Sequence, residues 1–326
     1  MRTLLLFLLA WCSWPVGAQS TTAPGQVFPS RPIRMLIPFP AGSAADIIAR
    51  AMEAQMREKL GQSLVIDNRG GAGGNIAADL TAKSAPDGYT VMMATIGTHA
   101  INHSLYSRLP FHPVRDFTHI GMVGESPNAL VATPRTQAKT VQDLIALAKA
   151  KPGQLNYGSS GSGTTVHLSG ELFCVMTGVR MVHVPYKGAT EALTGLLGGQ
   201  TDLMFASLSS AIPLIKAGRL KAFGVTGAQR SPSMPELPTV AEAANLPGFV
   251  AAAWFGIVGP AGLAKSTVAT LNKATLSVLD TKEVKDRLFA SGVEIRTSSP
   301  ADFSRFIESE MVKWDKVVKI SGAKVD

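Results

Sequence analysis

Cysteine is scarce in this chain, and its scarcity excludes a fold held together by disulfides. Only Cys12 and Cys174 occur among the 326 residues. Cys12 falls in an amino-terminal segment that is typical of a cleaved leader, and the bulky Trp11 before it argues against a lipoprotein site. A mature chain would keep Cys174 alone, so we expect no intramolecular disulfide. Its place beside Phe173 on a predicted helix indicates a buried, unreactive thiol.

Aromatic residues and clustered charge are also lacking. Phe, Trp and Tyr make up 6% of the chain, and the net charge of +8 comes from basic residues spread along the sequence. A nucleic-acid interface groups basic and aromatic side chains together, so we expect no nucleic-acid partner. The scattered positive charge mildly favours small anionic ligands instead.

The chain has one long apolar run, and it is too short to cross a membrane. Arg2 precedes an apolar stretch over residues 3–14, which ends at the small residues Val16, Gly17 and Ala18. A membrane span needs about 20 residues, whereas this order of charge, apolar core and small residues is typical of a secretory signal peptide. We predict a signal peptide over residues 1–18 and a soluble periplasmic protein long enough for two domains.

Named nucleotide-binding and catalytic motifs are missing from residues 155–173. Gly158 and Gly163 have the spacing of a phosphate-binding loop, but Thr164 replaces its lysine. The dinucleotide fingerprint fails there too, and no nucleophile elbow occurs in the chain. What remains is a strand, a Ser/Gly-rich loop and the start of a helix. Free N–H groups and the helix dipole favour anions at such a position, so the segment predicts a cradle for a small anion.

Two further loops follow predicted strands in the same way. A strand over residues 33–39 leads into residues 40–46 and a helix, and a strand over residues 89–94 leads into the loop 95–99. Strands that alternate with helices indicate a mainly parallel α/β sheet, whose ligand loops lie at the carboxyl ends of the strands.

Seven segments together resemble the Bug family, the extracytoplasmic solute receptors of tripartite tricarboxylate transporters. The resemblance covers nearly the whole predicted mature chain, with the motifs in order. The segments are PFPAGSAAD (38–46), NRGGAGGNIAA (68–78), APDGYT (85–90), LNYGSSGSGTTVH (155–167), HVPYKG (183–188), GGQTDLMF (198–205) and WFGIVGPAG (254–262).

The resemblance implies an α/β, two-lobed periplasmic-binding-protein fold of type II-like topology. Two mainly parallel sheets would be flanked by helices, with lobe one at 27–133 plus 251–326 and lobe two at 134–250. Two hinge crossings would fall near residues 131–134 and 251–255. The lobes would close on a small organic carboxylate, without a cofactor, metal or catalysis. We expect a monomer that delivers its ligand to the membrane permease subunits of a transporter.

The loops and the resemblance together give a set of candidate ligand-binding residues. They are Phe39, Ala41, Gly42, Ser43, Asp46, Thr95, Gly97, Ser159, Ser160, Gly163, Thr164, Thr165, His167, Tyr186, Lys187, Gly188 and Asp202. Two departures from the family pattern fall in the first loop. Ser43 stands where a glycine is common, and Ala45 stands where a hydroxyl residue is frequent. Ser43 fits if its φ is negative and is strained if φ is positive.

Several residues allow a second interpretation. His167 lies four residues before Glu171, so it could pair with that carboxylate or act as a base. Asp202 could meet an ammonium or hydroxyl of the ligand, or lie at an exposed strand start. Trp254 fits a core position or a ligand platform. His99 and His103 have i, i+4 spacing without the glutamate of a zinc motif, so we expect no metal.

Two other functions use the same loops. A secreted hydrolase or transferase would need a nucleophile, and the missing elbow argues against it. A receptor that closes on its ligand and docks onto a membrane sensor kinase would need the same lobe closure as a transport receptor. The sequence leaves transport and sensing open, and it leaves the identity of the acid open.

Overall fold

The computed structural model describes residues 28–323, which form two β-sheets with helices packed against them. The predicted signal peptide lies outside the described residues. The strands are β1 (Ile33–Ile37), β2 (Leu64–Asn68), β3 (Thr90–Thr95), β4 (Phe117–Ser126), β5 (Asn128–Ala132), β6 (Asn156–Ser159), β7 (Val182–Pro185), β8 (Leu203–Ser207), β9 (Lys221–Val225), β10 (Ala253–Pro260) and β11 (Glu294–Ile295).

Helices connect most of these strands. None of the helices within residues 28–323 combines the length and apolar character needed to cross a membrane. A 3₁₀ turn covers Ala72–Gly74 and a π-helical turn covers Gly97–Ile101. The α-helices are α1 (Ala44–Leu60), α2 (Asn75–Ala82), α3 (Asn102–Leu105), α4 (Val141–Ala150), α5 (Thr165–Thr177), α6 (Ala189–Leu197), α7 (Leu208–Lys216), α8 (Val240–Ala244), α9 (Lys265–Leu279), α10 (Lys282–Ala290) and α11 (Pro300–Ser321).

The first sheet has the strand order β11-β4-β10-β3-β1-β2. Strands β2 and β3 pair with β1 in parallel, whereas β10 runs antiparallel to β3 and β4. The two-lobed α/β fold is confirmed, but the sheet is mixed rather than mainly parallel. The reason is that β10 enters this sheet from the other lobe, so it runs opposite to the strands of the βα units.

The second sheet has the order β7-β6-β8-β5-β9 and is mixed for the same reason. Strand β6 pairs in parallel with β7 and β8, while β5 is antiparallel to β8 and β9. Because β4 belongs to the first sheet and β5 to the second, the chain crosses between the sheets at Pro127. The predicted crossing at residues 131–134 lies inside and just after β5. The chain returns to the first sheet before Ala253, where β10 begins.

Local sequence signals explain several helix starts. Thr140 and Asp143 form a capping box before α4, with the Thr140 side chain accepting from the Asp143 N–H and the Asp143 carboxylate accepting from the Thr140 N–H. Ser299 caps α11, which carries Pro300 in its first turn. Helix α11 buries Phe303 and Trp314, and Phe303 packs against Trp254 of β10, so the helix closes the core near the crossing.

Candidate functional site

A cleft of about 370 Å³ lies where loops of the two sheets face each other. Its volume falls in the range of small-molecule sites. The first sheet contributes the loops after β1 and β3 and the start of β10, and the second sheet contributes the loop before α5. The lining residues are Phe39, Ala44, Ala45, Gly73, Thr95, Ile96, Gly97, Ile101, Asn102, Leu105, Tyr106, Ser162, Gly163, Thr164, Thr165, Ala253, Trp254 and Phe255.

The first loop turns at Gly42 and ends at the start of α1. Gly42 has a φ of +82°, whereas Ser43 has a φ of −68° and a ψ of 159°. Ser43 is therefore unstrained, because glycine supplies the left-handed conformation one residue earlier. The Ser43 hydroxyl accepts a hydrogen bond from the Asp46 N–H at 3.4 Å and caps the helix.

Asp46 is buried under this loop and already has partners within the protein. Its carboxylate accepts hydrogen bonds from the Gly42 N–H at 2.9 Å, from Arg50 Nε at 3.0 Å and from Asn68 Nδ2 at 3.1 Å. Burial raises the pKa of Asp46, but these hydrogen bonds outweigh burial and hold the pKa below its ordinary value. Asp46 therefore shapes the first loop rather than facing the cleft.

The second loop of the first lobe is a π-helical turn, not the open loop predicted for residues 95–99. Thr95 ends β3, and Gly97 begins the turn. The Thr95 N–H donates to Thr98 Oγ1 at 3.1 Å, which folds the chain back toward the strand end. Thr95 and Gly97 both line the cleft.

The glycine-rich loop of the second lobe presents its last residues to the cleft. Gly163 has a φ of +77°, and its N–H donates to His167 Nδ1 at 3.0 Å. Thr164 is the N-cap of α5, with its hydroxyl accepting from the His167 N–H at 3.3 Å. Together with Thr165 and Ser162, these residues form the lobe-two wall of the cleft.

A stacked cluster of polar rings lies behind this loop. The rings of His167 and His183 stack with centroids 3.8 Å apart, and Glu171 accepts from the Tyr157 hydroxyl at 2.5 Å. His167 Nε2 lies 3.5 Å from Glu171 Oε1, so the predicted pairing is present. Ser159 Oγ lies 2.6 Å from His183 Nε2. Burial, with a smaller effect of His167, lowers the pKa of His183 to about 4, so this ring is neutral near pH 7.

The cleft has no charged wall, and two helices begin beside it. Among the described residues that line it, none is Lys, Arg, Asp or Glu. Ala44 and Ala45 begin α1, and Thr165 begins α5; the first N–H groups of a helix have no intrahelical acceptor. Two helix amino termini from opposite lobes therefore face one cavity. The helix dipoles favour negative charge at this position.

Six of the predicted site residues line the cleft: Phe39, Thr95, Gly97, Gly163, Thr164 and Thr165. Eleven do not. Ala41, Gly42, Ser43 and Asp46 support the first loop, and Ser159, Ser160 and His167 support the glycine-rich loop. Tyr186, Lys187 and Gly188 lie beside that loop, where the Tyr186 N–H donates to the Ser159 carbonyl at 2.9 Å. Lys187 is exposed, and its N–H donates to Glu191.

The structure corrects the prediction for Asp202. Its carboxylate accepts from the Asn156 N–H at 2.8 Å, and its own N–H donates to Asn156 Oδ1 at 3.0 Å. Strands β6 and β8 are parallel, with Tyr157 paired to Leu203. Asp202 thus lies at the amino ends of these strands, whereas the glycine-rich loop follows the carboxyl end of β6. The two are at opposite edges of the sheet.

Apart from Trp254, which the sequence offered as a ligand platform, sequence reasoning missed the apolar wall of the cleft. This wall comes from the turn and helix after β3 and from the start of β10, and includes Ile96, Ile101, Leu105, Trp254 and Phe255. Trp254 is both core and wall: it is 1% exposed and its indole N–H donates to Glu310 at 3.0 Å. The sequence feature that could have predicted this wall is an apolar run after a ligand loop. Such a run is equally typical of a core helix, so it does not identify a binding site.

Comparisons with known proteins agree with this geometry. Residues 48–323 match the family model described as "Tripartite tricarboxylate transporter family receptor". BugT of Bordetella pertussis is 35% identical over 91% of both chains. The solved structure of Rpa4515 of R. palustris with adipate has 39% identity and a TM-score of 0.75, covering 91% of this chain and 100% of that one.

A further solved structure, MatC of Rhodopseudomonas palustris with bound malate, has 33% identity and a TM-score of 0.72. The match covers 89% of this chain and 100% of MatC. The resemblance to the Bug receptors is thereby confirmed, and the chain belongs to the tripartite tricarboxylate transporter receptor family.

Proposed function

We propose that this protein captures a small organic carboxylate in the cleft and delivers it to the membrane permease of a tripartite transporter. The observation that carries the proposal is the meeting of two helix amino termini, at Ala44 and Thr165, in a cavity without charged walls. Backbone N–H groups can hold a carboxylate there by charge-assisted hydrogen bonds. The solved structures of Rpa4515 and MatC hold adipate and malate, which are both carboxylates.

The apolar wall adds a preference for the body of the acid. Ile101, Leu105 and Phe255 can cover methylene groups, but they offer no partner for a hydroxyl group. Each buried methylene contributes about 0.8 kcal/mol. Adipate has two more methylenes than a four-carbon diacid and no hydroxyl, so we expect adipate to bind about tenfold more tightly than malate.

Closure of two lobes is part of the proposal. Lobe two would begin after the crossing at Pro127 and end before β10, and the remaining described residues would form lobe one. The cleft residues come from both, so a bound acid would bridge the lobes and favour the closed state. The ligand contacts would be the cleft residues Phe39, Thr95, Gly97 and those of the glycine-rich loop.

The buried state of Ser159 supports binding rather than catalysis. Ser159 is fully buried, and its hydroxyl is engaged with His183 and with the Gly161 carbonyl at 3.2 Å. A nucleophile must reach the substrate, and this hydroxyl is outside the cleft lining. The proposed receptor would be exported by the leader at residues 1–18, act in the periplasm as a monomer and return its ligand unchanged.

Calorimetry and small-angle scattering test the proposal on the mature chain. In calorimetry, adipate should produce a binding heat and bind more tightly than malate. In scattering, the radius of gyration should fall when the protein is saturated with adipate. Native mass spectrometry before and after incubation should show the acid intact. Absence of binding for both acids, together with an unchanged scattering profile, would refute capture of a carboxylate by lobe closure.

A further inference from the structure

Three polar side chains of one turn form a buried chain of hydrogen bonds behind the cleft. Thr95, Thr98 and His99 are 3%, 0% and 0% exposed. Thr98 Oγ1 lies 2.9 Å from His99 Nδ1, 3.3 Å from Thr95 Oγ1 and 3.2 Å from the Thr95 carbonyl oxygen. It also accepts from the Thr95 N–H at 3.1 Å. Thr95, at one end of this chain, lines the cleft.

The other end of the chain is a histidine nitrogen without a partner. His99 Nε2 is buried and has no hydrogen-bond partner among residues 28–323. The imidazole packs edge-on against Phe117, with ring centroids 4.6 Å apart. Burial, with a smaller effect of His119, lowers the pKa of His99 to about 3. The ring is therefore neutral near pH 7 and carries one proton, on Nδ1 or on Nε2.

The orphan nitrogen decides between the two tautomers. A proton on Nε2 would leave a buried N–H without an acceptor, which is rare in native proteins. A bare lone pair at Nε2 is tolerated more readily, and a proton on Nδ1 has an acceptor in Thr98 Oγ1. The structure therefore favours the Nδ1–H tautomer.

The tautomer of His99 controls what Thr95 can do. A hydroxyl has one proton and two acceptor positions. With the proton on Nδ1, Thr98 Oγ1 accepts from His99 and from the Thr95 N–H, so both acceptor positions are filled and its proton goes to the Thr95 carbonyl. With the proton on Nε2, Thr98 would donate to His99 and would have room to accept the Thr95 hydroxyl. In the first arrangement Thr98 has no acceptor position left for the Thr95 O–H, so this proton is directed into the cleft.

We propose that His99 is a positioning residue that, through Thr98, directs the hydroxyl proton of Thr95 toward the carboxylate of the ligand. The inference rests on the proposed function, since it assigns a donor to the same site. His99 touches the cleft only through this chain of hydrogen bonds. His99 thereby sets the orientation of the Thr95 O–H. Thr95 then acts as a hydrogen-bond donor to an anion, so the site favours carboxylates over ligands that offer only donors.

The tautomer can be measured without any ligand. In the ¹⁵N-labelled mature protein near pH 7, long-range ¹H–¹⁵N correlation spectra distinguish a protonated Nδ1 from a protonated Nε2. Phe117 and the other surroundings of His99 hold the ring in place, so one tautomer should dominate. We expect a protonated Nδ1. A protonated Nε2 would overturn the proposal while leaving the proposed function untouched.

A double-mutant cycle with adipate then tests the coupling. Thr95→Val removes the donor and keeps the shape, so it should weaken adipate binding about tenfold to a hundredfold, the range for one hydrogen bond to a charged group. His99→Phe should weaken it similarly in the native background but have no effect alongside Thr95→Val. His99→Asn, whose amide can donate near the Nδ1 position, and Thr95→Ser should largely restore binding.

The outcomes separate the two proposals. If His99→Phe lowers the affinity equally with and without the Thr95 hydroxyl, His99 acts only through packing and the inference is wrong. If Thr95→Val binds adipate as tightly as the native protein, Thr95 is not a ligand donor and the inference also fails, although the carboxylate site stands. If the native protein does not bind adipate or malate at all, the proposed function itself fails. Thermal unfolding of each variant confirms that it is folded.

Discussion

The backbone N–H of Gly42 donates a hydrogen bond to the carboxylate of Asp46 at 2.9 Å. This contact closes the first loop on the start of α1 and holds Gly42 in its left-handed conformation. It also explains why the N–H groups that face the cleft, at Ala44 and Ala45, are available for a ligand: the loop satisfies its own polar groups with Asp46 and Ser43. The geometry of the site thus depends on a carboxylate that does not line it.

Removal of the Asp46 carboxylate should destabilise the protein. Asp46→Ala leaves the Gly42 N–H and the Asn68 amide without their acceptor, and loss of these partly buried hydrogen bonds costs about 1–3 kcal/mol. Urea denaturation measures the change in the free energy of unfolding. Asp286→Ala is the matched control, because the Asp286–Lys282 ion pair is exposed and such pairs contribute about 0–1 kcal/mol. If Asp46→Ala and Asp286→Ala lose equally small amounts of unfolding free energy, the Asp46 carboxylate does not hold the first loop in place.

The contribution of Asp46 should depend on pH in a defined direction. Its folded pKa is below the ordinary value of 3.8, and the unfolded pKa is about 3.9. A depressed folded pKa stabilises the protein above the unfolded pKa, and this stabilisation is lost as the pH falls through the folded pKa. The difference in unfolding free energy between native protein and Asp46→Asn should therefore be constant from about pH 5 to 7 and shrink below about pH 4. A difference that grows on acidification would contradict this.

The main features of fold and site could be predicted from short-range signals. The capping box of Thr140 and Asp143 depends only on neighbouring residues, and so do the cap at Thr164 and the left-handed glycine at Gly163. Such local features follow from the chemistry of neighbouring residues. The arrangement of the two lobes, by contrast, was predicted from the family resemblance. Three loops at strand ends were predicted, and two of the strand ends, β1 and β6, lead directly into helix starts that face the cleft.

Features that depend on three-dimensional pairing could not be predicted in this way. Asp202 was mistaken for a site residue because the sequence does not show which end of β8 faces the cleft; the register with β6 decides this. The place of β5 in the second sheet likewise depends on its antiparallel pairing with β8 and β9. The orphan nitrogen of His99 has no sequence signal, because it follows from burial by residues as distant as Phe117.

Gly170 lies against the fully buried ring of Tyr157, and replacing it should destabilise lobe two. An added Cβ at Gly170 would clash with the aromatic ring. Alanine gains about 1 kcal/mol in helix propensity over glycine, but overpacking a rigid core costs about 1–3 kcal/mol. Gly170→Ala should therefore lower the unfolding free energy. Gly195→Ala is the matched control: it meets the tip of Tyr186, which is only half-buried and can turn away, so it should be nearly neutral. A larger loss of unfolding free energy for Gly195→Ala than for Gly170→Ala would contradict this packing argument.

Ligand affinity should depend only weakly on salt. Among the described lining residues of the cleft there is no Lys or Arg, and Lys187 is exposed outside it. Surface charges act over a Debye length of about 8–10 Å and lose strength with salt, whereas short donors in a closed cleft are weakly screened. We expect the affinity for adipate to change less than about threefold between low and physiological salt, and Lys187→Ala to bind as the native protein does. A steep fall in affinity with salt, measured by calorimetry, would place the anion on a basic surface instead.

The helix amino termini can be tested directly by proline, which removes a backbone N–H at a position where helices tolerate it. Proline is favoured at the first helical residue because its missing N–H has no intrahelical acceptor. The residue before proline must be extended, and Ser43, Thr164 and Ala264 all have ψ between 139° and 159°. The first residues of α1, α5 and α9 are therefore matched sites for the same substitution.

Ala44→Pro and Thr165→Pro each delete one N–H that faces the cleft, while Lys265→Pro deletes one at the start of α9, away from the cleft lining. A charge-assisted hydrogen bond contributes about 1.5–3 kcal/mol, so each of the first two should weaken adipate binding by about tenfold to a hundredfold. Lys265→Pro should leave the affinity unchanged. All three should keep the native unfolding temperature within a few degrees, because none loses an intrahelical bond. If the three variants bind adipate equally well, the two helix termini do not hold the carboxylate.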